Sequence, residues 1–301
     1  MLSPGDQRDE VILDAPAKIN LFLKILGRRP DGYHDLQSLM VKVDLSDRLR
    51  LWPIDSGIQF EFKGNEVPDD SSNLVWKAAK LFYRHTGIPE GVAIQLEKNI
   101  PVAAGLGGGS SDGAAVLLAL NQLHGGGLSE NTLADLGKRL GADVPFFIRP
   151  YSVAYAQGVG DRLTQVSGLG HYEIVLVNPG FSVSTKWAFE TFALTSKVNP
   201  YILAPEWDYP ASTSTYLREI PKFPVDVAVM ANDLEKATIP HHSVVGEIKA
   251  VLQKCGALLS LMSGSGPTVF GVFPDHDRAV AGFEICCRNF GKMVYLTKPL
   301  P

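Results

Sequence analysis

Between Pro101 and Val116 the chain reads Pro-Val-Ala-Ala-Gly-Leu-Gly-Gly-Gly-Ser-Ser-Asp-Gly-Ala-Ala-Val, with alternating apolar residues (Val92, Ile94, Leu96) before it and an Ala/Leu-rich run after it. Alternation at period two predicts a strand running to Lys98, and the Ala/Leu-rich run predicts a helix from about Ser111 to His124. A tight strand-to-helix turn is satisfied by a glycine or two. Four glycines within residues 105–109, followed by two hydroxyls, exceed that need. Such a loop exposes successive backbone N–H groups at the positive end of a helix, and glycine lets an oxyanion approach the backbone closely. The segment therefore reads as a phosphate cradle. No Gly-Lys-Ser/Thr follows the spacing, and Ser110 stands where a dinucleotide fingerprint needs its third glycine. Ser110 or Ser111 either caps the helix or touches a phosphate or its Mg2+, roles that sequence does not separate.

A chain of 301 residues is near the upper size of one hydrophobic core, so two domains are expected. With 45% hydrophobic and 20% charged residues, a largely disordered chain is excluded. Lys plus Arg (28) against Asp plus Glu (32) gives a net charge of −4, which argues against a general nucleic-acid binder. The three cysteines (Cys255, Cys286, Cys287) suit neither a disulfide framework nor a zinc site. No apolar run approaches the ~18 residues that span a membrane. The start, MLSPGDQRDE, lacks signal or transit character, and a cytoplasmic protein is expected.

From Ala17 to Ile25 the odd positions are apolar, the mark of a half-buried strand, which places Lys18, Asn20 and Phe22 together on its other face. Pro30-Asp31-Gly32 is turn chemistry. Strands are expected over 39–43, 48–52, 58–62, 152–156, 173–177, 258–262, after Pro267 and over 293–296. Helices are expected over 71–86, stopped by Gly87, over 129–140 with Ser129 as N-cap, and over 244–254 and 279–287. Residues 199–224, with five prolines, read as a surface insertion. A composition shift places a domain boundary near residue 165, giving 1–165 and 166–301. The element order suggests an α+β architecture, antiparallel sheets backed by helices. A second glycine cluster, Ser263-Gly264-Ser265-Gly266-Pro267, falls between two strands and by itself is a flexible turn.

Three separated segments, Pro16 to Asn20, Pro101 to Ala115 and Met262 to Thr268, resemble in this order the GHMP kinases, the family of galactokinase, homoserine, mevalonate and phosphomevalonate kinases. The resemblance extends to A-P-A-K-I-N-L-F-L, R-P-D-G-Y-H, G-L-G-G-G-S-S-D, G-A-D-V-P-F-F, N-D-L-E and S-G-S-G-P-T, which point to a branch acting on a cytidine-bearing polyol. It implies a ribosomal-S5-like N-terminal domain that binds ATP and a ferredoxin-like C-terminal domain on the substrate side. It also implies ATP as co-substrate with Mg2+, a small-molecule acceptor, and neither nucleic acid nor membrane as partner. A monomer or weak homodimer is expected.

By the same resemblance, Asp143 matches the catalytic base and Lys18 the lysine paired with it; read alone, Asp143 is a helix N-cap and Lys18 a solvated strand residue. Gly105, Leu106, Gly107, Gly108, Gly109, Ser110 and Ser111 match the phosphate loop, while Asn73, Leu74 and Lys98 match positions around the adenine. Leu74 equally suits a helix core. Asn20 matches a residue orienting the polyol. Tyr33 matches an aromatic stacked on the cytosine, with His34 bonded to its edge and Phe189 flanking it opposite Tyr33. Thr185 belongs to the substrate side, and helical core packing competes as a role for Phe189. Gly264, Ser265 and Gly266 match a loop closing over the transferred phosphate or the product. No Asp or Glu stands out as a metal ligand. Gly113 stands where the family more often has alanine. Competing readings are a kinase of homoserine or mevalonate, a non-catalytic sensor, which the presence of both Lys18 and Asp143 opposes, and an S5-like RNA binder, which the acidic charge opposes.

Overall fold

The computed structural model describes residues 10–68, 70–166, 172–195 and 230–301, and the chain divides into two compact units whose segments alternate along the sequence. One unit draws on the stretch up to Ala17, on Leu45–Val102 and on Gly107–Pro150; the other draws on Lys18–Asp44, Ala103–Leu106 and Tyr151–Pro301. The expected boundary near residue 165 lies inside the last of these stretches. The proline-rich segment 199–224 lies outside the described residues.

In the first unit, the later half of β2 (His34–Pro53) pairs antiparallel with β4 (Gly91–Lys98), and β3 (Gly57–Gly64) lies parallel to β4. Four helices accompany this sheet: α1 (Leu74–Thr86), α2 (Gly108–Leu123), α3 (Glu130–Lys138) and α4 (Val144–Ile148). Their ends follow local chemistry. Asn73 caps α1 by accepting from the Val75 N–H, and Gly87 closes it in the left-handed region (φ 73°), where a side chain would be strained. Ser129 caps α3 as its sequence predicts. Val75, Ala78 and Phe82 of α1 and Val116, Leu117 and Leu120 of α2 are buried at helical spacing.

The two strands expected over 39–43 and 48–52 are one strand of 20 residues. Asp44, Ser46 and Asp47 interrupt the apolar pattern without interrupting the backbone, because the Asp47 carboxylate is buried against a partner described below.

In the second unit, β1 (Val11–Arg28, in this unit from Lys18 onward) pairs with β2, whose first half pairs antiparallel with β5 (Val153–Gly158); β5 pairs with the four-residue β6 (Arg162–Gln165). A second sheet is wholly antiparallel, in the order β10 (Val294–Thr297), β7 (Glu173–Val177), β9 (Val269–Phe273), β8 (Leu259–Met262). Between β7 and β8 lie α5 (Thr185–Thr195), α6 (Glu235–His241) and α7 (Ser243–Lys254), and α8 (His276–Phe290) joins β9 to β10. Strand, helices, strand, strand, helix, strand in this spatial order is the ferredoxin-like arrangement. Val175, Val177, Leu234, Ile248, Leu252, Met262 and Phe273 form its core. The expected α+β class is borne out.

The first strand departs from the half-buried expectation. From Ala17 to Leu21 both of its faces are buried, including Lys18 and Asn20 at 4% exposure each. Polar groups tolerate such burial only with partners, and these have them. The three cysteines are free, and burial pushes the Cys286 thiol up to about 12, which keeps it protonated and inert. Among the described residues, no helix is long and apolar enough to cross a membrane.

Candidate active site

In the first unit the site is the start of α2. Gly107 adopts φ 71° just before the helix, a left-handed conformation that glycine takes without strain, and the first turn carries no acidic side chain. The first N–H groups of the helix have no carbonyl partner within it and lie at its positive end, with Gly109 exposed; the Ser111 N–H is the first to bond within the helix, to the Gly107 carbonyl (2.9 Å). Gly109 and Gly113 leave room for Leu74: a Cβ at either would lie 3.7 or 3.6 Å from that side chain. Leu74 is half-buried beside the first turns of α2 and so serves both the core and the loop surface. Asn73 is committed at both ends of its amide, with Oδ1 on the Val75 N–H (2.9 Å) and Nδ2 on the Pro68 carbonyl (2.7 Å).

Lys98 sits beneath the loop. Its ammonium is ion-paired with Asp47 and, at 2.8 Å, with Asp112, and all three side chains are at most 4% exposed. Asp47 also accepts the N–H groups of Asn99 (2.7 Å) and Ile100 (2.8 Å). A Cβ on Gly108 would come within 2.9 Å of the Lys98 Nζ, so the loop rests directly on the ammonium. Two carboxylates share one cation here. Burial pushes Asp112 up to about 7, against the pull of Lys98, and the charge on Asp47 adds to the rise. Neither Asp47 nor Asp112 was singled out from sequence; the partners are 51 and 14 residues from Lys98, and no spacing rule links them.

Asp143 occupies the N-cap position of α4 with helical dihedrals (φ −81°, ψ −16°) and makes no capping hydrogen bond. Its side chain therefore does not cap the helix it precedes.

Ser111 Oγ and Asp112 Oδ1 are buried without a hydrogen-bond partner, and no cluster of three metal-ligating His, Cys, Asp or Glu exists among the described residues. That donor set suits a hard cation brought in on phosphate oxygens, with one protein hydroxyl beside it, rather than one caged by carboxylates.

In the second unit, a hydrogen-bonded chain runs from Lys18 Nζ to Asn20 Oδ1 (2.6 Å), from Asn20 Nδ2 to Ser38 Oγ (2.7 Å), and from Ser38 Oγ to the Phe22 carbonyl (2.6 Å). The chain fixes the Asn20 amide with its oxygen toward the ammonium. Ser38, in the middle of β2, gave no signal in the sequence. Residues 103–106 join this group: the Lys18 N–H donates to the Leu106 carbonyl (2.9 Å), and Ser263 Oγ donates to the Gly105 carbonyl (3.0 Å). Gly264 (φ 55°) closes the cluster, because a Cβ there would lie 3.1 Å from the Gly105 oxygen, 3.2 Å from Lys18 Nζ and 3.4 Å from Asn20 Oδ1. Thr185 Oγ1 and Ser265 Oγ are 3.0 Å apart. The second glycine cluster is thus packed against Gly105, Lys18 and Asn20 rather than being a free turn.

His34 and Phe189 also meet, with ring centroids 5.2 Å apart and planes inclined by 30°. Burial, with help from the Arg28 charge, holds the His34 imidazole below its ordinary 6.5, so the ring is neutral at neutral pH and offers one donor and one acceptor. Its Nε2 is buried with no hydrogen-bond partner. Tyr33 beside it is 65% exposed, an aromatic face turned to solvent. The structure brings Phe189 onto His34, as the sequence did not specify.

The class of protein is shown by two family models: "GHMP kinases N terminal domain" matches residues 73–150 and "GHMP kinases C terminal" matches residues 226–292. A protein of Geobacter metallireducens named 4-diphosphocytidyl-2-C-methyl-D-erythritol kinase is 45% identical over 89% of this chain and 90% of its own length. One of the same name from Syntrophotalea carbinolica is 45% identical over 95% of this chain and 98% of its own. By that similarity the chain belongs to the 4-diphosphocytidyl-2-C-methyl-D-erythritol kinase family of GHMP kinases. A crystal structure of 4-(cytidine 5'-diphospho)-2C-methyl-D-erythritol kinase superposes with a TM-score of 0.76 at 34% identity, covering 97% of this chain and 100% of that one. Homoserine kinase from Cytophaga hutchinsonii, at 19% identity with a TM-score of 0.68 over 99% of this chain and 97% of its own, shares the fold.

Proposed function

We propose that this chain transfers the γ-phosphoryl group of ATP to the 2-hydroxyl of 4-diphosphocytidyl-2-C-methyl-D-erythritol, a step of the non-mevalonate route to isoprenoid precursors. The observation that carries the reading is 45% identity to kinases of that name over 89–95% of the chain. In this reading the ATP side is carried by the unit containing Leu45–Val102 and Gly107–Pro150, and the acceptor side by the unit containing Lys18–Asp44 and Tyr151–Pro301. Phosphoryl transfer asks mainly for positioning and charge neutralisation. The N–H groups at Gly107 to Ser110 take the triphosphate, with Leu74 and the backbone at Asn73 and Lys98 near the adenine. The Ser111 hydroxyl would stand beside Mg2+, which when bound with ATP would supply neutralisation of phosphate charge. Asp143 accepts the proton of the acceptor hydroxyl, and Lys18 offsets charge on the transferred group. Asn20 orients the polyol, while Gly264 to Gly266 with Thr185 cover the phosphate.

Tyr33 and Phe189 take the two faces of the cytosine, and His34 reads its edge. The unpartnered Nε2 of His34 supports that role: a buried ring nitrogen without a partner is an unfavourable state that a bound base relieves. The protein acts in the cytoplasm as a monomer or weak homodimer, with ATP and the cytidyl acceptor as its small-molecule partners.

The test is ADP release from ATP, expected with the cytidyl acceptor and not with mevalonate or homoserine. Stimulation by either of those instead overturns the substrate assignment. Asp143→Asn is expected to lower kcat by about 10²–10⁴-fold with nucleotide affinity unchanged. Near-normal kcat in that variant removes Asp143 as the base.

A further inference from the structure

The N-D-L-E segment, Asn232 to Glu235, is taken up by none of the steps above, yet nearly every polar atom in it is engaged. Its backbone is laid against β1: the Leu23 N–H donates to the Ala231 carbonyl (2.9 Å) and the Asp233 N–H to the Leu23 carbonyl (2.8 Å). Asp233 Oδ2 accepts the Ile25 N–H at 2.9 Å. The Asn232 side chain, 3% exposed, faces the other way. Its Nδ2 donates to the carbonyls of Met262 (2.8 Å) and Gly264 (2.7 Å), and its Oδ1 accepts the Leu234 N–H (3.0 Å). Glu235 Oε1 accepts the Met262 N–H at 2.8 Å and is steadied by its ion pair with Lys249.

One short segment is therefore bonded at once to the strand that carries Lys18 and Asn20 and to the loop whose Gly264 lies against both of them. Resting on the functional reading above, we propose that Asn232 is a positioning residue for phosphoryl transfer, which sets the separation between Gly264 and the Lys18–Asn20 pair. The residue type follows from the geometry. Two carbonyl oxygens and one N–H have to be met from one short side chain, which needs two donors and one acceptor at the end of a single methylene. Asparagine alone supplies that set: aspartate brings acceptors only, and glutamine is one methylene too long. Positioning of this kind governs rate strongly, because small displacements of reacting groups are costly.

Asn232→Asp keeps the acceptor for Leu234 and deletes both donations to the loop. It is expected to lower kcat with ATP and the cytidyl acceptor about tenfold or more, while nucleotide affinity, read from binding of ATP without acceptor, stays within about twofold. Gly264→Ala disturbs the same loop from within, leaves the Asn232 bonds in place, and is expected to show the same split should the first variant not fold. A folded variant of either kind with kcat within about twofold of the unmodified protein overturns the proposal, as does loss of ATP affinity in step with kcat. The unmodified protein run alongside separates the two ideas. If it fails to release ADP with the cytidyl acceptor, the substrate reading falls; if it turns over and both variants do too, only the positioning role falls.

Discussion

The two glycine-rich loops of this chain are anchored by different chemistry. The loop that opens α2 rests on a buried ammonium, Lys98, locked between Asp47 and Asp112. The loop at 263–266 hangs from the neutral amide of Asn232 and ties itself to Gly105 through the Ser263 hydroxyl; Glu235 holds Met262 ahead of the loop and is paired with Lys249. A buried charge demands full compensation and links the fold to pH, whereas an amide makes directional bonds without either consequence. Beneath the first loop the ammonium is matched by its carboxylates and adds no net positive charge, so an anion there is met by backbone N–H groups; the second loop is held by an amide that carries no charge at all.

The sharpest way to break this contrast is Lys98→Met, which leaves two carboxylates buried without a cation. Loss of one partner of such a group is expected to cost about 3–5 kcal/mol in urea denaturation. An unchanged midpoint would show that the ions do not anchor the loop. A smaller effect is expected from Asp112→Asn. In the folded protein Asp112 titrates at about 7 rather than at the ordinary 3.8, because burial disfavours its charge. Its contribution to stability is therefore present in full below about 3.8 and fades as pH rises through about 7. Melting temperature measured across that window should lose part of its downward slope in the variant, whereas changes at Asn232 should leave the slope alone. The smallest effect is Gly113→Ala. The methyl would sit 3.6 Å from Leu74, ordinary contact, so the helix propensity gained is expected to stabilise by about 0.5–1 kcal/mol. A lower melting temperature would mean that α1 and α2 are packed more tightly there than this spacing implies.

Much of the fold was legible because local chemistry decided it. Gly87 and Ser129 end and start helices where their side chains, or the lack of one, require. The alternation in β1 and the glycine run before α2 are equally local. What sequence hid was compensation between distant residues. Lys18 and Asn20 look like a solvated face until Ser38 and the backbone at Leu106 are seen to partner them. Asp47 looks like a strand break until Lys98 neutralises it. Asn232 and Glu235 were visible as a motif, but their partners lie 27 to 32 residues further on, and no periodicity spans that distance. The short β6, with Arg162 and Gln165 exposed, carries too little apolar signal to be read as a strand.

The alternation of segments between the compact units makes their autonomy unequal. A gene severed after Pro150 would yield an N-terminal piece holding the stretch up to Ala17, Leu45–Val102 and Gly107–Pro150, the whole inventory of the first unit, together with Lys18–Asp44 and Ala103–Leu106 of the second. The C-terminal piece would begin at Tyr151 without Lys18–Asp44 or Ala103–Leu106, and so without the strand to which residues 231–233 are stitched. Split-protein or domain-swap engineering of this scaffold can therefore treat the first unit as portable, while the second has to borrow its opening strand from the other half of the gene.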